Sequence, residues 1–373
     1  MTVNNLDELQ SINSWTTRKT PVVCVNVIQE TPDVKTFQFV AKAPCLFHFK
    51  PGQFIGIQLE IEGEKHNRSY TIASSPTRPH LLELTIKLDP TGAVSPWLHQ
   101  NVKKGSELEF RGPAGRFNCM DIDSDKVLLI SAGSGITPMM SMSRFWCDQA
   151  ANKDIRFLSW SRSVQDIIFR RELALLDHQY PQFDLEVICT LPGLSENWLG
   201  RRGRVNSTSL ADMVPDLNER TVFCCGPEGF MEQVKSCLLE LGFDMANYHD
   251  ESFDPGGKKK AKLAAEKQDQ QSHSDANEAE QSKENFGPFN LTFSKTGKTV
   301  LVEKDEILLE RIEKEGIAIE SACRAGNCGA CQVKKLSGET QTQNEAGLYG
   351  DRRDEGYILT CTTHLCSDVV LDL

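Results

Sequence analysis

A long polar segment separates the C-terminal part of the chain from the rest. Between Gly256 and Pro288 the sequence is GGKKKAKLAAEKQDQQSHSDANEAEQSKENFGP, in which Phe286 is the only aromatic residue. A segment with so few apolar side chains cannot bury enough surface to offset the entropy that it would lose on ordering. We therefore predict a flexible linker over residues 255–287 and an independent C-terminal domain over residues 288–373.

Length, charge and cysteine content narrow the class of protein. A chain of 373 residues exceeds what one hydrophobic core usually serves, so about two to three domains are expected. The net charge of -11 disfavours nucleic acid, because a phosphate-binding surface needs clustered Lys and Arg. No apolar run approaches the roughly 18 to 20 residues that span a bilayer, and the N-terminus lacks signal-peptide character. Thirteen irregularly spaced cysteines then favour reduced thiols, and we expect a cytoplasmic protein.

Residues 20–118 alternate apolar and polar side chains in short runs. The runs include VVCVNVIQE, KTFQFVAK, QFIGIQLEIE and LLELTIKLD, and Pro-Gly, Glu-Gly and Asp-Pro-Thr-Gly turns separate them. A period of two residues is typical of strands with one buried face. This pattern predicts an antiparallel barrel or sandwich, and we assign it to a first domain over residues 19–120.

The pattern changes at Lys126. KVLLISAG is a continuous apolar run that ends in glycine, and RFLSW, FDLEVICT and TVFCCG are further buried-strand candidates with helical stretches between them. Strands that are apolar throughout and alternate with helices are typical of a parallel sheet covered on both faces. We therefore predict an α/β domain over residues 124–254.

Three cysteines lie close together in the C-terminal domain. Cys323, Cys328 and Cys331 occur in the sequence CRAGNCGAC. Structural zinc sites usually use two separated pairs with short spacing, whereas C-x4-C-x2-C with a fourth cysteine far downstream is typical of a [2Fe-2S] cluster. The spacing favours the cluster over zinc, and it leaves Cys361 and Cys366 as alternatives for the fourth ligand.

The C-terminal domain resembles the plant-type ferredoxins. That family places its last ligand directly after a strand with the sequence Tyr-Ile-Leu-Thr-Cys, which residues 357–361 match. The resemblance implies that Cys361 is the fourth ligand and that Cys366 is a free thiol. It also implies a β-grasp fold, with strands near 289–294 and 298–303 and a helix at about 305–315.

Two motifs in the first domain together resemble the flavin-binding domain of the ferredoxin-reductase family. The family signature R-x-Y-[ST]-x-x-S matches RSYTIAS at residues 68–74, and the later G-x-x-S matches GAVS at residues 92–95. Taken singly, either motif is as consistent with an ordinary strand end or helix start. In this order they imply an FAD site formed by Arg68, Ser69, Tyr70, Thr71, Ser74, Lys87, Gly92, Ala93, Val94 and Ser95.

The chemistry of these residues suits such a site. Arg68 offers a bidentate fork to a pyrophosphate, and Tyr70 offers a flat ring to the flavin. We expect the hydroxyl or backbone of Thr71 to reach the reactive N5 edge, which makes Thr71 a candidate catalytic residue. Ser95 would open a helix whose first N–H groups face a phosphate. Ser74, with the second motif, favours FAD over FMN.

A glycine-rich turn, GSGITP at residues 133–138, follows the strand KVLLISA. Such a turn brings the backbone close to a pyrophosphate. Pro138 stands where the standard dinucleotide fingerprint has its third glycine. G-x-G-x-x-P resembles the nicotinamide domain of the ferredoxin-reductase family, and this resemblance implies that Gly133, Gly135, Thr137 and Pro138 contact the dinucleotide.

The sequence Cys225-Gly226-Pro227 resembles the Cys-Gly-Pro motif of the same family. In that family the cysteine lies beside the nicotinamide C4 and the flavin, so Cys225 is a candidate catalytic residue. The alternative is a packed structural thiol. Glu251 and Phe253 lie where some relatives place a carboxylate and an aromatic ring near the flavin.

The sequence after the second strand of the α/β domain bears on the choice between NADH and NADPH. Ser161 and Arg162 are able to hold a 2′-phosphate, but no further basic cluster accompanies them. We therefore expect NADH.

Taken together, the modules predict a multidomain α+β protein with an antiparallel FAD barrel, a parallel-sheet NAD domain and a β-grasp ferredoxin. NADH releases two electrons at once and a [2Fe-2S] cluster accepts one, so a flavin is needed between them. The chain is therefore expected to be an NADH-dependent iron–sulfur flavoprotein oxidoreductase.

The stretches QETPDVKTF, SPWLHQNVKKG, GITPMMSM and DIIF resemble the reductases of hybrid-cluster proteins. This resemblance implies a hybrid-cluster protein as redox partner, and reduction of hydroxylamine or nitric oxide. One alternative is the reductase component of a Rieske-type oxygenase, which has the same three modules in the same order. The other is a non-catalytic redox-sensing protein.

Overall fold

The chain forms two compact units, which divide between Phe253 and Asp254. The computed structural model describes residues 13–15, 19–122, 124–191, 193, 198–253, 288–303, 305–319, 321, 324, 326, 329–345, 347–348 and 352–373. The predicted linker over residues 255–287 lies outside these ranges. Within them, no helix combines the length and the apolar character that crossing a lipid bilayer requires.

The first half of the N-terminal unit is built from strands. In chain order they are β1 (Asn13–Ser14), β2 (Thr20–Thr31), β3 (Val34–Ala41), β4 (Cys45–Leu46), β5 (Phe54–Ile61), β6 (Glu64–Thr71), β7 (Leu82–Lys87) and β8 (Glu107–Ala114). Strands β1 and β4 form a short parallel pair, and the other six form a sheet in the order β6-β5-β8-β2-β3-β7, in which every pairing is antiparallel. Helix α1 (Val94–Asn101) precedes β8.

This sheet curls until its two outer strands meet. A bridge between Ile72 and Leu84 and a hydrogen bond from the Ala73 N–H to the Glu83 carbonyl (2.8 Å) join the end of β6 to β7. The inward-facing aromatic and branched side chains, such as Phe37, fill the interior. The predicted antiparallel barrel is therefore confirmed.

The second half of the unit alternates strands and helices. Its strands are β9 (Lys126–Ala132), β10 (Asp154–Ser161), β11 (Phe183–Cys189), β12 (Arg201–Arg202), β13 (Thr221–Cys225) and β14 (Tyr248–Glu251). Its helices are α2 (Ile136–Asp148), α3 (Arg170–Gln179), α4 (Ser207–Met213) and α5 (Glu228–Glu240). The strands form one sheet in the order β12-β11-β10-β9-β13-β14, parallel throughout, as predicted.

The parallel arrangement decides where a ligand can meet the sheet. The carboxyl ends of all six strands lie along one edge, which is where open α/β sheets bind ligands. The barrel packs against this half, since Val34, Ala73 and Phe117 from the barrel side share one buried cluster with Phe157 and Phe223.

The C-terminal unit is a small mixed sheet with one helix. Its strands are β15 (Phe289–Phe293), β16 (Thr299–Val302), β17 (Gln332–Ser337), β18 (Thr340–Thr342), β19 (Tyr357–Leu359), β20 (Thr363–Leu365) and β21 (Val369–Leu371), and its helix is α6 (Leu308–Lys314). Five strands follow the order β16-β15-β21-β17-β19, and β18 pairs with β20. Leu308 and Ile312 of α6 pack into the core of this sheet. The predicted β-grasp elements are confirmed.

Candidate functional site

The end of strand β6 carries the first flavin motif. Arg68 and Ser69 are exposed, Tyr70 is half-buried and Thr71 is buried. The Thr71 Oγ1 atom has no hydrogen-bond partner among the described residues. An unsatisfied buried hydroxyl costs free energy, so this atom suits a position where a bound group supplies the missing partner. The orphaned hydroxyl fits the flavin contact that the sequence predicts for Thr71.

Electrostatics places Arg68 near both flavin motifs. Burial raises the pKa of the Tyr70 phenol, and the guanidinium of Arg68 acts in the opposite direction. The pKa of the Asp89 carboxyl is lowered chiefly by the hydrogen bond from the Thr91 hydroxyl. The guanidinium of Arg68 contributes to the same lowering. Arg68 therefore lies within electrostatic reach of Tyr70 and of the turn that begins at Asp89.

Asp89, which the sequence analysis did not single out, organises that turn. The Thr91 N–H and hydroxyl donate to its Oδ1 (3.0 and 2.7 Å), and its own N–H donates to the Ser95 Oγ (2.9 Å). Helix α1 then begins with Ala93 as N-cap and with no side-chain cap. Uncapped N–H groups at a helix start are suited to a phosphate. The Asp-Pro-Thr-Gly sequence was the available signal, because Asp followed by Thr two residues later favours such a turn.

Two predicted flavin residues have partners elsewhere in the chain. The Ser74 Oγ accepts from the Glu83 N–H (3.1 Å), and the Ser74 carbonyl accepts from the Ser141 hydroxyl (2.8 Å). Lys87 is exposed and pairs with Asp33 (3.3 Å). The Ser74 hydroxyl therefore accepts a hydrogen bond within the barrel, while its backbone carbonyl makes the contact to helix α2.

The glycine turn lies directly against the Cys-Gly-Pro motif. Residues Gly133–Gly135 form a short 3-10 turn that leads into α2. A Cβ on Gly135 would lie 2.2 Å from the Cys225 carbonyl oxygen, so only glycine allows this contact. Pro138 occupies the first turn of α2, where a missing N–H costs no intrahelical hydrogen bond. Thr137 is buried, and its hydroxyl donates to the Ser134 carbonyl (3.0 Å).

Cys225 is fully buried at the carboxyl end of β13, followed by buried Gly226 and exposed Pro227. Burial raises the pKa of its thiol well above the ordinary value, and the charge of Glu251 raises it further. The group is therefore a neutral thiol at physiological pH. Such a thiol can contact a ring or donate a weak hydrogen bond, but it is not a nucleophile.

Glu251 is the register partner of Cys225 on strand β14. Its Oε2 atom is buried with no hydrogen-bond partner among the described residues, and burial raises the pKa of its carboxyl to about 8. A carboxyl with this pKa is mostly protonated at pH 7, so it can donate as well as accept. Phe253, two residues later, is 41 % exposed.

A cavity lies beside Trp160, the residue that precedes Ser161 at the end of β10. Its volume is about 180 Å³, and it is lined by Trp160, Ile188, Arg201, Arg202, Arg204, Ser209 and Met213. The expectation that no further basic cluster accompanies Ser161 and Arg162 is wrong in three dimensions. Strand β12 pairs with β11 through Cys189 and Arg202, and this pairing carries the RRGR sequence to the carboxyl edge of the sheet.

In the C-terminal unit, two predicted cluster ligands lie together. Cys331 and Cys361 are buried in one small cluster with Leu309 and Leu359. The N–H and hydroxyl of Thr360 both donate to the Cys331 carbonyl (3.2 and 2.9 Å). The other two predicted ligands, Cys323 and Cys328, lie outside the described residues.

Cys366 has a different setting from Cys361. Cys366 is half-buried, and its backbone N–H donates to the Glu339 carbonyl (2.9 Å) beyond the β18–β20 pair. The structure therefore brings Cys361, and not Cys366, to the end of the cysteine-rich loop.

Two glycines of that loop pack tightly on the chain opposite. Gly326 and Gly329 have φ angles of +76° and +70°, and a Cβ on either would lie 2.4 Å from a backbone carbonyl oxygen, of Asn344 and of Gly347 respectively. The Gly347 N–H also donates to the Gly326 carbonyl (2.7 Å). This close backbone packing fits a loop that curls around a cluster, because a side chain at either position would collide with the opposite backbone.

Comparison with known sequence families matches all three parts of the chain. An oxidoreductase FAD-binding domain matches residues 21–119, an oxidoreductase NAD-binding domain matches residues 129–236, and a 2Fe-2S iron-sulfur cluster binding domain matches residues 291–366.

Two relatives and one solved structure match nearly the whole chain. The glycine betaine monooxygenase reductase subunit of Chromohalobacter salexigens is 42% identical over 96% of both chains. The NADH oxidoreductase HCR of Escherichia coli is 30% identical over 93% of this chain and 95% of its own. Phthalate dioxygenase reductase, with 20% identity and a TM-score of 0.59, covers 95% of this chain and 98% of its own, and shares the fold. The chain thus belongs to the family of flavin- and [2Fe-2S]-containing oxidoreductases that carry electrons from NAD(P)H through FAD to an iron–sulfur cluster.

Proposed function

We propose that this protein is the reductase component of an oxygenase that acts on a quaternary ammonium compound such as glycine betaine. The observation that carries this proposal is the 42% identity, over 96% of both chains, to a glycine betaine monooxygenase reductase subunit. NADH oxidoreductase HCR, the relative that corresponds to the hybrid-cluster hypothesis, is 30% identical. The oxygenase alternative is therefore better supported than the hybrid-cluster protein, and membership in an oxidoreductase family argues against a non-catalytic sensor.

The groups bound by this family supply the redox chemistry: FAD accepts a hydride from NAD(P)H and a [2Fe-2S] cluster passes single electrons onward. The chain's own residues supply placement. In this proposal Arg68 and the uncapped start of α1 hold the FAD phosphates, and the orphaned Thr71 hydroxyl bonds the flavin. Gly135 lets the dinucleotide turn lie on Cys225, so that the nicotinamide is held beside the buried thiol.

The carboxyl of Glu251 has a separate role in this proposal. With a pKa of about 8 and a buried Oε2 atom, it is positioned on the strand beside Cys225 to donate a hydrogen bond into the same site. In the C-terminal unit, Cys323, Cys328, Cys331 and Cys361 are proposed to hold the cluster.

NADH remains our proposed electron donor. Arg201, which lines the cavity beside Trp160, is engaged by Glu186 (3.1 Å) and Asp212 (2.7 Å), and Arg202 donates to the Trp198 carbonyl (3.0 Å). The two carboxylates offset the charge of Arg201, and the carbonyl occupies one donor of Arg202, so both are less suited to a 2′-phosphate. Initial rates with NADH and NADPH test this: a higher kcat/KM for NADPH would contradict it.

A cytoplasmic location also remains a prediction.

Reconstitution tests the choice of partner. The purified protein is combined with NADH and either a glycine betaine oxygenase component or a hybrid-cluster protein, and NADH oxidation is followed with and without each partner's substrate. We expect betaine-dependent oxidation in the first mixture and no hydroxylamine-dependent oxidation in the second. Hydroxylamine-dependent turnover without betaine-dependent turnover would overturn the proposal in favour of the hybrid-cluster protein.

A further inference from the structure

One face of helix α2 contacts the end of the first flavin motif and the residues that follow it. Ser141, Arg144 and Asp148 are three and four residues apart, a spacing that places side chains on the same face of a helix. All three contact residues 73–78 of the barrel. The bonds are Ser141 Oγ to Ser74 O (2.8 Å), Arg144 Nη1 to Ala73 O (2.7 Å), Arg78 Nη2 to Asp148 Oδ1 (2.7 Å) and Thr77 Oγ1 to Asp148 Oδ2.

Each side of this contact leads directly into a candidate binding motif. Helix α2 begins immediately after the glycine turn at Gly135. The barrel segment begins two residues after Thr71, whose hydroxyl lacks a partner among the described residues. The bonds between α2 and residues 73–78 therefore set the distance between the turn proposed to hold NAD(P)H and the strand proposed to hold FAD.

Arg144 is the central member of this contact, and it uses its whole guanidinium. Nε and Nη2 donate to the two carboxylate oxygens of Glu172 (2.7 and 2.6 Å), and Nη1 donates to Ala73 O and to Glu83 Oε2 (2.7 Å each). Only 7% of the residue is exposed, and the guanidinium lies 4.9 Å from the ring centre of Phe169. A lysine has no planar fork and cannot reproduce these four bonds.

We propose that Arg144 is a positioning residue for hydride transfer, acting by holding the nicotinamide turn against the flavin strand. The transfer moves one hydrogen with two electrons from NAD(P)H to the bound flavin and leaves NAD(P)+. Its rate depends steeply on the separation of the reacting atoms, and a misplacement of about 1 Å can cost about 100-fold. This inference deepens the proposed function, because it rests on the assignment of the two motifs as nicotinamide and flavin sites.

The chain offers a matched control in Arg220. This arginine is also 7% exposed, and it also binds two carboxylates, Asp154 (3.0 and 3.1 Å) and Asp216 (2.8 Å). It also donates to the carbonyls of Val127 and Asp154 at the amino ends of β9 and β10. Arg220 thus stabilises the same sheet at the edge opposite the candidate site.

The test compares Arg144→Lys, Ser141→Ala and Arg220→Lys in the full-length protein. Anaerobic stopped-flow mixing with NADH gives the limiting rate constant of flavin reduction and, from its concentration dependence, the Kd of NADH. Hydrogen exchange of peptides covering residues 73–78, measured in the flavin-free protein, reports the contact without any turnover. Melting temperature and FAD content are recorded for each variant.

We expect Arg144→Lys to lower the limiting rate constant by about 10- to 100-fold with little change in the Kd of NADH, and to speed exchange in residues 73–78. Ser141→Ala, which removes one hydrogen bond, should lower the rate constant a few-fold and remains informative if Arg144→Lys fails to fold. Arg220→Lys should lower the melting temperature and leave both the rate constant and the exchange of residues 73–78 unchanged.

If Arg144→Lys folds and loses stability but reduces its flavin at the parent rate, the positioning role is overturned. Faster hydrogen exchange in residues 73–78 with an unchanged rate constant of flavin reduction would overturn it too. An equal loss of rate in Arg220→Lys would also overturn it, since a general loss of stability would then be sufficient to explain the slower flavin reduction. If the parent protein itself is not reduced by NADH, the proposed function fails instead, and the two failures are thereby distinguished.

Discussion

The two edges of the parallel sheet differ in how their polar groups are satisfied. At the amino edge, Arg220 is bonded to Asp154 and Asp216, and Lys126 pairs with Asp216 and Glu219. At the carboxyl edge, the buried Oε2 of Glu251 has no partner in the described part of the chain, and neither has Nε1 of Trp160 beside the arginine-lined cavity.

The paired charged groups at the amino edge stabilise the fold, whereas the unpartnered polar atoms at the carboxyl edge are suited to binding a ligand. A buried polar atom without a partner costs stability. Arg156 Nε, near the amino end of β10, also lacks a partner among the described residues, so what distinguishes the carboxyl edge is that its unpartnered atoms lie beside Cys225 and the arginine-lined cavity. In the C-terminal unit the contrast is one of burial, between Cys361, which is buried with Cys331, and Cys366, which is half-buried in the β18–β20 region.

The largest effect is expected at the cluster. Cys361→Ser should abolish the reduced-state electron paramagnetic resonance signal of a [2Fe-2S] centre and electron transfer to cytochrome c, because a required ligand is lost. Cys366→Ser is the control and should retain both, together with NADH-dependent reduction of ferricyanide. Loss of the signal only in Cys366→Ser would reverse the ligand assignment.

A large effect is also expected at the glycine turn. Gly135→Ala places a Cβ against the Cys225 carbonyl, and we expect a loss of about 1–3 kcal/mol in unfolding free energy. The displaced turn should also slow flavin reduction by about 100-fold. Gly242→Ala, at a positive φ with open space around it near the amino edge, should cost about 1 kcal/mol in stability without slowing flavin reduction. Equal effects of both variants on the rate would remove the distinction between the edges.

Two adjacent thiols on opposite faces of β13 give a smaller contrast. Cys225 belongs to the buried cluster shared with the barrel, whereas Cys224 belongs to the cluster on the other face of the sheet. Truncation of either thiol to alanine should cost about 1 kcal/mol, because each leaves a small cavity. Only Cys225→Ala should slow the rate constant of flavin reduction, by about 10-fold through a lost nicotinamide contact. A normal rate constant in Cys225→Ala would assign that thiol a purely structural role.

The smallest effect concerns pH, and here the two edges have opposite signs. The pKa of Glu251 is raised by burial to about 8, so its contribution to stability is fully present in acid and is lost as the pH rises from about 4.5 through about 8. The pKa of Asp216 is lowered, chiefly by its hydrogen bond from Arg220, so its contribution is present at neutral pH and is lost in acid.

Denaturant unfolding of the flavin-free protein at several pH values tests this opposition. Glu251→Gln should stabilise the protein relative to the parent by an amount that grows between pH 5 and pH 8, since the amide stays neutral. Asp216→Asn should destabilise it at neutral pH and approach the parent in acid. A stabilisation by Glu251→Gln that is independent of pH would show that the carboxyl does not titrate in this range.

How much of the site could be predicted from the sequence depends on how local each feature is. The glycine turn, the spacing of Cys323, Cys328 and Cys331, and the RSYTIAS strand end are set by residues close together in the chain. Their backbone requirements, such as close approach or a positive φ, are therefore visible in the sequence itself. For Cys361, the local sequence alone left Cys366 as an alternative, and resemblance to a family was needed to choose between them.

Contacts between distant segments were not visible in this way. Arg201 and Arg202 lie about 40 residues after Ser161 in the sequence and reach the same edge only because β12 pairs with β11 in the parallel order of strands. The sequence by itself determined the three modules and their ligand-binding motifs, because periodicity, turn chemistry and cysteine spacing are local properties. Only the tertiary structure decided that Arg144 of helix α2 bonds to Ala73 and Glu83 of the barrel and that Glu251 lies beside Cys225, because burial and charge pairing arise when distant segments pack together.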